Sequence, residues 1–427
     1  MKKIAVILTG LLLAAAGGAE TIAITGATIH PVSGPDIPNG TVVVRDGKIA
    51  AVGAAVEIPA GAKTVDAKGR HVYPSLFPAI TDLGLVEISS VRATVDTTEL
   101  GEINPEARAD FAMNFDSELL PVARSAGILV AGVAPTGGII SGSLAAMKLD
   151  GWTREDATLK APAAIIVRWP DLTIDRSPQA RFSVRIQEKR RDENLEKLKN
   201  AFAEAKAYAR ARGAEGKTGI PRHDFDPRLE ALVPAIEGRI PVLIVAQRVK
   251  QIRDALAWAK EEKLNVVLAG AKDGWRVASE IAAAGVPVIV EQPIELPARA
   301  DEYYDANYAN AGALAKAGIR VAITDGSNGS NTRNLSHQCA AAVAFGFPRE
   351  KALAAMTLEP AKMLGVADKI GSLEPGKDAT LVLTDGDILD LRTHVLAAYL
   401  DGRALDLTDK QKRLYERYRN RPKPASR

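Results

Sequence analysis

Six continuous apolar runs constrain this chain more than anything else in it: AGILVAGVAP, AAIIVRWP, PVLIVAQR, LNVVLAGAKDG, GVPVIVEQP and GIRVAITDG. Unbroken apolar runs bounded by Gly, Pro or a charge mark strands buried on both faces, where an edge or one-sided strand would alternate. Between several of them lie helical patterns such as VKQIRDALAWAKEE and WRVASEIAAAG. Alternation of this kind predicts right-handed βα units on a parallel sheet. With FPAITDLG as the first strand, it predicts an α/β fold, a (β/α)8 TIM barrel over residues 74–365. A long charged helical stretch at about 179–212 interrupts the barrel and reads as a solvated insertion.

The two ends carry a different signature. Residues 20–73 hold short alternating strands, TIAITGATIHP, NGTVVVRDGKIAAVG and KTVDAKGRHVY, with Asn39-Gly40 and Asp46-Gly47 as hairpin dipeptides. The pattern returns over residues 366–407 in SLEPGKDATLVLTDGDILD and HVLAAYLDGRALDL. Each piece has too few strands to bury a face alone, so the two ends are expected to join as one composite β-sandwich.

The first residues, MKKIAVILTGLLLAAAGGAE, fit a secretory signal peptide over 1–19: two lysines, an apolar run, then small residues. The apolar run, 4–16, is shorter than the roughly 20 residues of a membrane span, so the expectation is a periplasmic or secreted protein with no span after cleavage. Losing Lys2 and Lys3 takes the formal charge from +3 to +1, which gives no reason to invoke nucleic acid. The basic stretch at 408–427 reads as a solvated helical tail. Cys339 is the only cysteine, so no intrachain disulfide forms; in SHQCAAAVAF it reads as a small core residue.

At this point the chain resembles the amidohydrolase superfamily, in its imidazolonepropionase-like and dihydroorotase-like branches. The segment ALAAMTLEPAKMLGVADKIGSLEPGKDATLVLTDGD carries the likeness best, joining the last barrel helix to the terminal strands. The resemblance implies an H-x-H pair on strand one, a lysine or glutamate on strand four, single histidines on strands five and six, and an aspartate on strand eight. The strand-one motif resembles YPGLIDAHTHLGL; here it reads YPSLFPAITDLGL, with Ile80 and Asp82 at the two ligand positions. Strand five offers Val245 or Gln247, strand six Gly270, and strand eight retains Asp325. Ile80, Val245 and Gly270 have no side-chain donor, whereas a catalytic zinc generally takes three protein ligands. Of five histidines, His30, His71 and His394 fall in the terminal segments, leaving His223 and His337. The usual binuclear zinc is therefore not expected; the expectation is no cofactor, or one weakly bound divalent cation on Asp82 and Asp325. SSVRATVDTTELGEINPEARADFAMNFDSELLPVARSAGILVAGVAPTGGIISGSLAAMKLDGW further resembles an exported subgroup that also lacks the H-x-H pair.

Asp82 and Asp325 are expected at the barrel mouth, where facing carboxylates bind a hard cation or share a proton; either could instead cap a helix or bond backbone. In Arg222-His223-Asp224, Arg222 could anchor an anion and His223 move a proton, or His223 could simply bridge the insertion to the barrel. Asn328, Arg333 and Asn334 form a polar rim after strand eight, and Gln247 joins them as a substrate contact. The paired glycines of APTGGIISGS could present N–H groups to an oxyanion or serve a tight turn. Lys148 lies early in strand order for a strand-four lysine.

Three functions compete at this level. One is a divergent hydrolase of C–N bonds in a small amide, imide, cyclic urea or dipeptide-like substrate, with Asp325 activating water. The second is a non-catalytic barrel that binds a small ligand or a related active amidohydrolase. The third is a metal-free isomerase or lyase using Asp82, Asp325 and His223.

Overall fold

The computed structural model describes residues 21–215, 224–297, 299–326 and 328–422. The expected signal peptide, together with Arg222 and His223, lies outside the described residues. Among the described residues no helix is long and apolar enough to cross a membrane.

Five strands open the chain: β1 (Ile22–Ile29), β2 (Ile37–Arg45), β3 (Lys48–Gly53), β4 (Lys63–Asp66) and β5 (His71–Pro74). Seven follow in the middle: β6 (Val130–Val133), β7 (Ile140–Lys148), β8 (Thr158–Arg168), β9 (Val242–Ala246), β10 (Val266–Gly270), β11 (Val288–Glu291) and β12 (Val321–Thr324). Three close it: β13 (Leu381–Thr384), β14 (Val395–Leu400) and β15 (Arg403–Ala404). The ends do join. β13 pairs antiparallel with β5, Val382 opposite Tyr73, so first and last strands share one eight-stranded sheet. Hydrogen bonding makes this a single sheet in the order β15-β14-β13-β5-β1-β2-β3, with β4 on β1, where two facing sheets were expected.

The middle strands form a seven-stranded sheet in simple chain order. From β8 to β12 every neighbour is parallel. The crossovers carry helices α1 (Val184–Ala214) and α2 (Pro227–Ile236) before β9, α3 (Val249–Glu262) before β10, α4 (Ala278–Ala284) before β11 and α5 (Ala306–Lys316) before β12, with α6 (Leu335–Ala344) beyond. This part of the sheet is as the apolar runs predict: on β9, Val242, Leu243, Ile244 and Ala246 are all inaccessible to solvent. The other edge departs from a regular (β/α)8 pattern, because β7 runs antiparallel to both β6 and β8.

The sheet is curled. Val130 of β6 and Ala322 of β12, from its two edges, belong to one buried cluster with Ile80, Leu144, Ile166, Leu243, Ala269 and Ile289. The segment carrying Ile80-Thr81-Asp82 lies between those edges. Thr81 bridges to Val133 on one side, and Thr324 Oγ1 donates to the Ile80 carbonyl at 2.9 Å on the other.

The structure overturns the reading of residues 179–212 as a solvated insertion. The C-terminal half of α1 buries Leu198, Ala201, Phe202, Ala205 and Tyr208, an i, i+3, i+4 stripe. Phe202 meets Trp258 of α3 edge to face, with ring centroids 4.9 Å apart.

Candidate active site

Side chains alternate along a strand, so the inward set fixed by the buried cluster can be followed to each strand's end. On β8 the inward residues Ala164 and Ile166 lead to Arg168; on β9 Leu243 and Val245 lead to Gln247 just beyond the strand. On β11 Ile289 leads to Glu291, and on β12 Ala322 leads to Thr324. The C-terminal rim of this curled sheet is thus polar above an apolar floor.

A cavity of about 1050 Å³ opens there. Trp169, Gln247, Lys272, Glu291, Gln292 and Arg299 line it. Its outer wall is an ionic cluster built on Asp273, which is 2% exposed. Arg299 reaches Asp273 at 2.9 Å, Arg248 at 3.7 Å and Arg276 at 3.9 Å, and the same arginines surround Glu302. Gln251 fixes the approach to α3: its Oε1 accepts the Gln247 and Arg248 N–H groups at 3.1 Å, and its amide donates to the Trp169 and Pro170 carbonyls at 3.3 Å.

Gln247, expected as a substrate contact, lies in this cavity. Its amide occupies the space that any side chain at Gly270 would need, since a Cβ there would stand 2.2 Å from Gln247 Nε2. Gly270 also holds φ at +83°, a left-handed conformation that favours glycine. Gln247 Oε1 is buried and finds no hydrogen-bond partner among the described residues.

The two aspartates are close to the rim and apart from each other. Asp325 follows β12, is 2% exposed, and accepts a hydrogen bond from Gln338 of α6 at 2.5 Å; its Oδ2 is buried without a partner among the described residues. Burial raises its pKa to about 6 against the opposing Gln338 bond. Asp82 accepts the Gly329 N–H and is likewise raised by burial to about 6. Neither is shifted by the other's charge. Asp82 opens into a separate cavity of about 260 Å³ with Glu87, Asn328 and Ser330. Asn328 and Arg333 are exposed, Asn334 is half-buried at the start of α6, and none of the three lines the larger cavity.

The described histidines stand elsewhere. His30 stacks on Tyr73 in the terminal sheet, with His71 Nδ1 2.9 Å from His30 Nε2. His394 is exposed beside Asp385. His337 is half-buried and its pKa lowered by burial. Among the described residues no three His, Cys, Asp or Glu side chains are grouped to hold a metal ion. Lys148 pairs with Asp401 of the terminal sheet at 2.5 Å, away from the rim. Cys339 is buried, its thiol pushed up to about 12. Gly138 packs where a Cβ would meet the Glu102 carbonyl at 2.8 Å, which gives the paired glycines a packing role.

The residues that sequence reasoning missed are Arg168, Lys272, Glu291 and Arg299. Three of them sit at or just past the end of an apolar run, in AAIIVR, VVLAGAK and VPVIVE. A charge two positions beyond the last inward residue of a parallel strand is the signal that could have found Arg168 and Glu291.

An α/β architecture with a polar cavity at the C-terminal ends of parallel strands belongs to a class that commonly carries enzyme sites there. Residues 246–410 match the amidohydrolase family model. An amidohydrolase structure from Thermotoga maritima is 24% identical, with a TM-score of 0.81, and is covered over 99% of its length by 90% of this chain. A Xaa-Pro dipeptidase with methionine in its active site is 13% identical with a TM-score of 0.55, covering 91% of this chain and 100% of that one. These two likenesses speak to fold alone. Over 90 residues the chain is 36% identical to a 5-methylthioadenosine/S-adenosylhomocysteine deaminase of Teredinibacter turnerae, and over 400 residues 23% identical to the amidohydrolase tasK of Hapsidospora irregularis. These matches cover 19% and 86% of this chain, but the chain spans just 20% and 40% of those two relatives' lengths.

Proposed function

We propose that this chain is an exported hydrolase of C–N bonds in a small amide, imide, cyclic urea or dipeptide-like substrate, working without the binuclear zinc that the amidohydrolase resemblance implies. The observation that carries the reading is the cavity at the C-terminal rim of β8 to β11, in a fold shared with amidohydrolases over nearly the whole chain. On this reading the Ile80 segment is the eighth stave of a closed barrel, which puts Asp325 beside the rim. The donor set does not suit two zinc ions. Ile80 and Val245 are hydrocarbon, Gly270 has no side chain, and the Gln247 amide fills the space above Gly270.

Asp325 is the general base. Its unpartnered oxygen and its pKa near 6 let it accept a proton from water at neutral pH, and Gln338 fixes its orientation. Gly326, the next residue, packs on Gln292 of the cavity wall. A panel of small amides, cyclic ureas and dipeptides, assayed with and without added Mg²⁺ or Zn²⁺, tests the reading. Turnover of one class is expected, with Asp325→Asn lowering kcat by about 100-fold or more. Undiminished turnover in that variant removes Asp325 from the mechanism, and stoichiometric zinc in protein purified without chelator removes the metal-free site.

A second reading is a ligand-binding protein without turnover. It draws support from Gln247 filling the space above Gly270 and from Asp82 being engaged by the Gly329 N–H of the loop after β12. Saturable binding of a panel compound with no product formed would favour it.

A further inference from the structure

We propose that Glu291, which lines the large cavity, is a catalytic carboxyl, the acid that protonates the nitrogen leaving the substrate. The inference rests on the hydrolase reading above and assigns it a residue beyond Asp325.

Placement comes first. Glu291 is the inward side chain at the C-terminal end of β11 and lines the large cavity. The residues beneath it on the inner face are apolar: Ile289 on its own strand, Ala322 on β12 and Ala269 on β10. The carboxyl therefore has hydrocarbon below and the cavity above. Among the described residues no cation lies within direct ion-pair distance of it, although the rim carries several arginines. Lys272, the nearest lysine in sequence, is held by Glu295 at 2.6 Å. Burying an acidic side chain over an apolar floor without a direct ion pair costs free energy, which the Gln247 hydrogen bond and the more distant Arg168 and Lys272 only partly offset.

The groups acting on it are Arg168 from β8, Lys272 after β10, the Gln247 side chain after β9, and Glu295 from the loop after β11. Burial pushes the Glu291 carboxyl above the usual glutamate range; Arg168, Lys272 and the Gln247 bond act against it, and Glu295 with it. A carboxyl whose proton is held more tightly than an ordinary glutamate's can give it away in a reaction. The two cations then stand near the carboxylate left behind.

The step balances as follows. Water adds to the carbonyl carbon, a C–O bond forms, the carbonyl π pair moves to oxygen, and Asp325 takes the proton from the water. The oxyanion collapses, the C=O bond re-forms, and the C–N bond breaks with its electron pair going to nitrogen. Glu291 delivers its proton to that nitrogen, so the products are a carboxylic acid and an amine. Asp325 has gained one proton and Glu291 has lost one; exchange with solvent restores both.

The test uses one acyl group in two forms: the alkylamide of the panel that the enzyme hydrolyses best, and the matching 4-nitrophenyl ester. An alkylamine must be protonated to leave, whereas nitrophenolate leaves unaided. Glu291→Gln is expected to lose about 100-fold or more in kcat on the amide, and less than about threefold on the ester, with KM little changed. Glu291→Asp should recover part of the amide rate, and Asp325→Asn should lose activity on both substrates. Equal losses on both substrates in Glu291→Gln would mark a structural role and overturn the inference. Full amide activity in that variant would overturn it too, while leaving the hydrolase reading in place. A wild-type protein inactive on every amide would remove that reading and the inference with it.

Discussion

Asp325 and Asp82 are buried carboxyls whose pKa values stand near 6, and each carries a consequence for stability. Asp325 moves from an ordinary 3.8 to about 6, through burial that disfavours its charged form. A folded-state pKa above the unfolded one gives a contribution that is fully present below about pH 3.8 and lost as pH rises through about 6. Asparagine at 325 suffers no such loss. Relative to the wild type, Asp325→Asn should therefore gain stability between pH 4 and pH 7, by at most about 3 kcal/mol. Urea denaturation of both proteins at the two pH values measures the difference, and a difference that stays constant would contradict a raised carboxyl. At this scale the sequence was uneven as a guide. Asp325 was reached through the resemblance, as the strand-eight aspartate in AITDGSNGS. Glu291 stands in a similar place in VPVIVEQP, yet its direction becomes readable only when the curl of the sheet says which alternate residues face inward.

Among the elements, α1 shows how charge can hide a buried face. Its sequence is dominated by Arg, Lys and Glu, and it extends over Val184–Ala214, so a solvated helix is the natural reading. The decisive residues are few: Leu198, Ala201, Phe202, Ala205 and Tyr208 fall on one stripe in the second half. Phe202, fully buried, packs on Trp258, which in turn lies 5.5 Å from Trp169 of the cavity wall. The helix therefore braces the α3 side of the cavity. Phe202→Ala should destabilise the protein by about 3–5 kcal/mol, the cost of emptying an aromatic site in a core. A chemical-denaturation midpoint that does not fall would show that α1 only rests on the curled sheet and its helices. The parallel strands β8 to β12 were legible for the opposite reason: continuous apolar runs leave no alternative to burial on both faces. The antiparallel β7 was not, because ISGSLAAMK reads as a glycine loop when its neighbours in space are unknown.

Across the whole molecule, the two sheets act as one folding unit because they share a core. Tyr73, Val382, Ala398 and Leu400 of the terminal sheet belong to the same buried cluster as Leu76, Ile128 and Met147 beneath the curled sheet. Ion pairs cross the same seam, Lys148 with Asp401 at 2.5 Å and Arg403 with Asp150. The terminal sheet itself closes only when residues near both ends of the chain are present, since β13 supplies the partner of β5. Half a sheet with an open β5 edge would expose a hydrophobic face and unpaired backbone groups. Calorimetry should then show one transition, with the calorimetric enthalpy equal to the van't Hoff value. Val382→Asp, which buries a charge in the seam, should lower that single transition temperature and leave it single. Two resolved transitions in the wild type would mean that the terminal sheet melts by itself and that the seam couples nothing. A variant in which the rim cavity keeps its ligand or activity while the terminal strands unfold would lead to the same conclusion, because a shared core cannot lose one wall and keep the other intact.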